Sequence, residues 1–133
     1  MPDITGLYYV GLSVQDIRRS MSWYTELLGL QIVSERIADD AATGEVLLRH
    51  PGTGMLLGLL AHRANQGDPF SELRSGLDHL EFGVASPQEL EAWRARLDEL
   101  GIEHSPIKER PTSLILTFRD PDNIQLEFFY PKS

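Results

Sequence analysis

YYVGLSVQD at residues 8–16 is answered by DHLEFGVAS at residues 78–86, a shift of seventy positions. The apolar alternates match in pairs: Val10 with Leu80, Leu12 with Phe82, Val14 with Val84. The same shift lays Trp23 on Trp93 and Leu27 on Leu97. It also lays Arg49-His50-Pro51 on Arg119-Asp120-Pro121 and Leu56 on Leu126. A common offset over this span marks the chain as two copies of one unit, and repeats of this kind decide a fold.

Each copy has the same plan. It opens on a strand whose side chains alternate, with Val10, Leu12 and Val14 on one face and Tyr9, Gly11 and Ser13 on the other. A helix follows, capped by Asp16, with Ile17, Met21, Tyr24 and Leu28 at helical spacing and Gly29 placed to end it. In the second copy Ser86-Pro87-Gln88-Glu89 is a capping box with proline at the first helical position. Leu90, Trp93, Leu97 and Leu100 form its apolar stripe, and Gly101 closes it. Three strands should follow each helix, near residues 31–37, 45–49 and 55–60, then near 102–108, 113–118 and 124–130. The expected organisation is a single domain, residues 1–133. It comprises a βαβββ module at 5–60, a linker at 61–76 with a helical turn near Phe70–Leu73, and a second βαβββ module at 77–131. A linker of this length reads as a crossing from one module to the other, suited to a lid.

The fold class is therefore α+β. A four-stranded sheet with one helix shelters only one of its faces. Pairing two such units gives a curved mixed sheet whose bare faces line a cleft suited to a small molecule.

Charge and composition narrow the partners. Twelve basic against twenty acidic residues give a net charge of −8, and only two lysines are present. Binding nucleic acid by neutralising phosphates is not expected of such a chain. No cysteine is present, so disulfides, thiolate nucleophiles and Cys-ligated metals are excluded. The longest apolar stretch, residues 55–61, is too short to span a membrane, and no targeting segment is visible. A soluble cytoplasmic protein is the default expectation. No glycine-rich phosphate loop and no G-x-S-x-G elbow occurs, so neither a nucleotide cofactor nor a serine nucleophile is expected.

Period two also assigns the cleft. With Leu80, Phe82 and Val84 under the helix, His79, Glu81 and Gly83 face the cleft. With Leu126 and Phe128 under the helix, Gln125, Glu127 and Phe129 face it too. His79 and Glu127 then meet on one surface, an imidazole and a carboxylate that suit Zn²⁺, Ni²⁺, Mn²⁺ or Fe²⁺. Under the repeat their counterparts are Tyr9 and Leu57, and Met55, Leu57 and Leu59 make that side apolar. Trp23 and Trp93 are assigned to the helix-face core, and His50, His62 and His104 to loops or surface.

These residues carry a resemblance. YYVGLSVQDIRRSMSWYTELLGL at 8–30, GLDHLEFGVAS at 76–86 and FRDPDNIQLEFFYP at 118–131 resemble the vicinal oxygen chelate superfamily. That superfamily includes glyoxalase I, extradiol dioxygenases, fosfomycin-resistance enzymes and bleomycin-binding proteins. The resemblance implies paired βαβββ modules around a U-shaped cleft, often in a homodimer, and in many members a divalent metal. His79 falls on a family ligand position and Glu127 on the terminal glutamate position. Tyr9 and Leu57 stand where further ligands are usual.

Two functions of different classes follow. In one, an enzyme of the glyoxalase or dioxygenase kind uses His79 and Glu127 as metal ligands and Glu127 as catalytic base. In the other, a protein of the bleomycin-resistance kind sequesters a small molecule without catalysis. In either, the small molecule would lie against Tyr9, Met55, Leu57, Leu59, Glu81, Gln125 and Phe129.

Overall fold

A computed structural model describes residues 1–133. The chain forms two compact units, Met1–Asp68 and Pro69–Ser133, and each is a strand, a helix and three strands.

In the first unit β1 (Val10–Ser13) leads into α1 (Ile17–Leu28), followed by β2 (Gln31–Ile37), β3 (Gly44–Arg49) and β4 (Leu56–Ala61). Asp16 caps α1 by accepting the Arg19 amide at 3.1 Å. Gly29 ends it at φ 66°, in the left-handed region that glycine enters without a Cβ penalty. The sheet order is β1-β4-β3-β2, with β1 parallel to β4 and the other pairs antiparallel. Ile17, Tyr24 and Leu27 of α1 are buried, as are Leu12, Val46, Leu48, Leu57 and Leu59 of the sheet. Trp23 is half-buried and meets Tyr24 edge-on, so Tyr24 supplies the fully buried aromatic of this helix.

In the second unit the elements are β5 (Leu80–Gly83), α2 (Pro87–Glu99), β6 (Lys108–Arg110), β7 (Ser113–Arg119) and β8 (Gln125–Pro131). Their order is β5-β8-β7-β6, with β5 parallel to β8. Ser86 caps α2 through the Glu89 amide, and Pro87 fills the first turn. The core joins Leu90 and Leu97 to Leu116, Phe118, Leu126 and Phe128. Trp93 stacks on Phe128 with ring centroids 4.3 Å apart, and Phe118 stacks on the same ring at 5.0 Å. Neither helix is long and apolar enough to cross a membrane.

One expected element differs. The strand expected near 102–108 is reduced to the three residues of β6, preceded by a lone bridge between His104 and Phe118. Pro106 lies between the two and has no amide to give a ladder. Residues 71–74 form a single hydrogen-bonded turn, the Arg74 amide donating to Ser71 O. The segment is pinned to the β7–β8 turn, where the Phe70 amide donates to Asp122 O and the Asn123 side chain to Phe70 O.

The repeat is also not uniform. Val10 lies opposite Leu57, whereas Leu80 lies opposite Leu126. The final strands are therefore related by 69 positions, while the first strands and helices keep 70. Residues 50–55 join β3 to β4 and residues 120–124 join β7 to β8, one residue fewer. Leu57 consequently corresponds to Leu126, and the counterpart of Glu127 is Gly58.

Candidate metal centre

The open face of the second sheet is set by its register. Glu81 of β5 lies opposite Glu127 of β8, and Glu127 lies opposite Thr117 of β7. His79 immediately precedes β5, two residues from Glu81, and so stands on the same face. A nitrogen of His79 and oxygens of Glu81 and Glu127 all lie within 4.8 Å of one another. His79 Nε2 is 3.0 Å from Glu81 Oε1 and 3.9 Å from Glu127 Oε2.

Each member is held. His79 Nδ1 lies 2.6 Å from Asp78 Oδ1, so the Nδ1–H is committed and Nε2 is directed at the carboxylates. Glu127 is 8 % exposed, and its Oε1 accepts from Gln125 Nε2 at 2.9 Å and from Thr117 Oγ1 at 3.4 Å. Gln125 Oε1 in turn accepts from Arg119 Nη2 at 3.1 Å. Arg119 also holds Glu72 through two contacts, at 2.9 and 3.2 Å. The β7–β8 turn that spaces these residues is built by Asp120, whose Oδ1 accepts the amides of Asp122 and Ile124, and by Asn123 at φ 69°.

Electrostatics agree with the geometry. The hydrogen bonds to Asp78 and then Glu81, with the charge of Glu127, raise the His79 pKa against an opposing desolvation. The cluster thus favours a positive charge at Nε2. A divalent cation suits the same position, since two carboxylates and an imidazole are donors for first-row divalent metals, and carboxylate oxygen favours the harder ones. The donor set fits. The Arg119 guanidinium holds the Glu72 carboxyl far below the usual carboxylate range, at about 2.

The expected site residues separate into two groups. His79, Glu81, Gln125, Glu127 and Phe129 share the open face of the second sheet, with Phe129 opposite Gly83 and Ile115. Leu57 and Leu59 do not face the open side of the first sheet. They are 2 % and 0 % exposed and lie beside Val10 and Leu12 on the helix-covered face. The longer β3–β4 connection shifts their parity by one and presents Leu56, Gly58 and Leu60 instead. Met55 precedes β4 and lies in its turn, where its carbonyl accepts the His50 amide.

Tyr9 takes an unexpected place. Its ring lies over Gly58, in the space a Cβ there would need, and its hydroxyl approaches the corresponding point of Gly11. Gly11 and Gly58 are paired across β1 and β4, as Glu81 and Glu127 are across β5 and β8. The same scaffold position thus holds a histidine beside two glutamates in one unit and a tyrosine over two glycines in the other. Burial, then the charge of Glu45, raises the Tyr9 pKa and keeps the phenol neutral, unsuited to ligation.

Several contributors escape a reading of the sequence. Glu81 is legible as a face residue but not as a third donor. Thr117 becomes visible only once the β7–β8 register is known, and Glu72 lies 47 residues from Arg119. Of the other histidines, His50 stabilises its own turn through Thr53, and His62 is exposed. His104 joins Asp98 to Ser105 O in the connection after α2.

A crystal structure of a glyoxylase/bleomycin resistance protein/dioxygenase domain from Frankia sp. EAN1pec is 36 % identical. It covers 97 % of this chain and 99 % of its own, at a TM-score of 0.87. The genomically encoded fosfomycin resistance protein FosX from Listeria monocytogenes, complexed with Mn(II) and sulfate, shares the fold. It has a TM-score of 0.72 at 18 % identity, over 96 % of this chain and 93 % of that one. Among curated proteins, "Putative ring-cleaving dioxygenase MhqA" of Bacillus subtilis (strain 168) is 24 % identical over 92 % of the chain. The chain spans 39 % of that protein's length. The model of the Glyoxalase/Bleomycin resistance protein/Dioxygenase superfamily matches residues 6–128, and the chain belongs to that family.

Proposed function

We propose that this protein is a metal-dependent enzyme acting on a small molecule that carries oxygens on neighbouring atoms. The observation that carries the reading is the convergence of His79, Glu81 and Glu127 within 4.8 Å. These three residues would hold the ion. When bound, a divalent metal supplies Lewis acidity to substrate oxygens. One histidine with two carboxylates is an oxygen-rich set, so Mn²⁺ or Fe²⁺ is favoured over Zn²⁺ and Ni²⁺. The Mn(II)-bound structural neighbour supports that choice.

The chain's own residues perform the rest. Asp78 fixes the His79 ring through Nδ1. Gln125 and Thr117 fix one oxygen of Glu127 and leave the other on the open face. The expected base, Glu127, is the more buried carboxylate; the more exposed Glu81, through the oxygen that does not hold the ion, would take a proton from a substrate hydroxyl or carbon acid in its stead. Phe129, with the open space at Gly83 beside it, offers an apolar surface to the rest of the substrate. A homodimer belongs to the same reading and is supported by the family.

Catechol and simple 1,2-diols serve as probes, each assayed with added Mn²⁺, Fe²⁺ or Zn²⁺. Turnover that requires metal and disappears in His79→Ala is the expected result. A second reading, sequestration without catalysis, is favoured by the donor-free counterpart Tyr9–Gly11–Gly58. Tight uptake of a probe with no metal requirement and no turnover would establish it instead.

A further inference from the structure

Glu127 Oε1 is taken by two donors, whereas Oε2 lies towards His79. What sets this arrangement is a chain of groups with a fixed polarity. Arg119 can only donate, and an ionised Glu127 can only accept. A glutamine amide between them satisfies both in one orientation alone, with its oxygen on Arg119 and its NH₂ on Glu127. That orientation is the observed one, at 3.1 and 2.9 Å. Arg119 is itself braced by Glu72 and by Asn123 O at 2.9 Å. Register supports the assignment, since Arg119 and Gln125 are a cross-strand pair two positions along the ladder from Thr117 and Glu127, and so on the same face.

We infer that Gln125 and Arg119 are positioning residues for Glu127, locking its Oε1 so that Oε2 is the oxygen left towards His79 and available to a cation. The inference rests on the metal reading above. Neither residue is one of the three that would hold the cation. Arg119 acts through Gln125, and Gln125 through Glu127. Loss of Gln125 leaves only the longer Thr117 contact on Oε1, and loss of Arg119 leaves the Gln125 amide unanchored, so either loosens the carboxylate; outer-layer partners of this kind are worth about 10–100-fold in metal affinity.

The test is Mn²⁺ binding followed by electron paramagnetic resonance, with the ligand-field spectrum of the Co²⁺-loaded protein as a second readout. Gln125→Leu and Arg119→Met are compared with wild type, with Arg119→Lys as the conservative variant and metal-free melting curves recorded for all. The expected result is a tenfold or greater loss of Mn²⁺ affinity in both Gln125→Leu and Arg119→Met. The Co²⁺ spectrum should change in both, metal-free melting should stay put in Gln125→Leu, and in Arg119→Met, which also loses the Glu72 pair, the affinity loss should exceed what the lower metal-free melting accounts for, with Arg119→Lys falling between it and wild type. Mn²⁺ affinity within twofold of wild type and an unchanged Co²⁺ spectrum in both variants would overturn the positioning role and leave the metal reading standing. So would affinity lost only in step with metal-free stability. Failure of wild-type protein to bind either ion would overturn the metal reading, and this inference with it.

Discussion

Gly58→Ala tests the register that separates the two halves. Alanine places a Cβ where the Tyr9 ring now lies, so the ring must move or the strands must part. The backbone at Gly58 lies outside the left-handed region, and alanine itself fits it. Overpacking of this kind costs about 1–3 kcal/mol. Tyr9 is only half-buried and lies just before β1, so its ring can swing to solvent. That escape sets the cost near the lower end, at about 1 kcal/mol, since full burial of a large apolar side chain contributes about 1.5–3 kcal/mol. In a Tyr9→Ala background the three nearest obstructing atoms are gone and the sign reverses. Replacing a strand glycine by alanine then stabilises by about 0.4–1 kcal/mol through the unfolded chain. The coupling between the two sites is therefore about 1.5 kcal/mol, the sum of the penalty removed and the gain released, as a double-mutant cycle measures it. Urea denaturation followed by circular dichroism resolves this difference. An equal effect of Gly58→Ala in both backgrounds would refute the assignment of Gly58 as the counterpart of Glu127 beneath Tyr9.

Three further outcomes are expected. His104→Asn lowers stability most at acid pH. The Ser105 carbonyl and then Asp98 raise the His104 pKa, so its contribution is complete below its unfolded value of about 6.5 and fades as pH rises through the folded value. A melting-temperature gap that stayed flat or widened towards alkaline pH would contradict this. Leu97→Ala removes a fully buried side chain of α2 and costs about 2–5 kcal/mol in urea denaturation, and a loss under 1 kcal/mol would show that the core closes over the cavity. Asp16→Ala leaves the Arg19 amide without its cap and costs about 0.5–2 kcal/mol, whereas Asp16→Asn retains most of the stability.

Much of the fold is legible because local signals agree with one another. Asp16 and Gly29 bracket α1, Ser86 and Pro87 open α2, and strand alternation places His79, Glu81 and Glu127 on one face. Legibility fails where one residue changes the count. The extra residue between β3 and β4 turns Leu57 and Leu59 towards the helix, and a constant shift along the chain cannot reveal it. Pro106 shortens β6 for a reason visible in the sequence, namely a missing amide. The support around Glu127 is beyond reach, since Glu72 and Thr117 acquire their roles from pairing and from a turn that joins distant segments. Tyr9 was legible as the partner position of His79, but its seat on Gly11 and Gly58 depends on the corrected register.

The most direct measurement is the metal content of the protein purified without chelator or affinity tag and then exposed to Mn²⁺ or Fe²⁺ in excess. About one tightly held divalent ion per chain is predicted, lost together in His79→Ala and Glu127→Ala and sharply weakened in Glu81→Ala. Protein that holds no ion, or an ion that persists after both His79 and Glu127 are removed, would contradict a centre built from these three side chains.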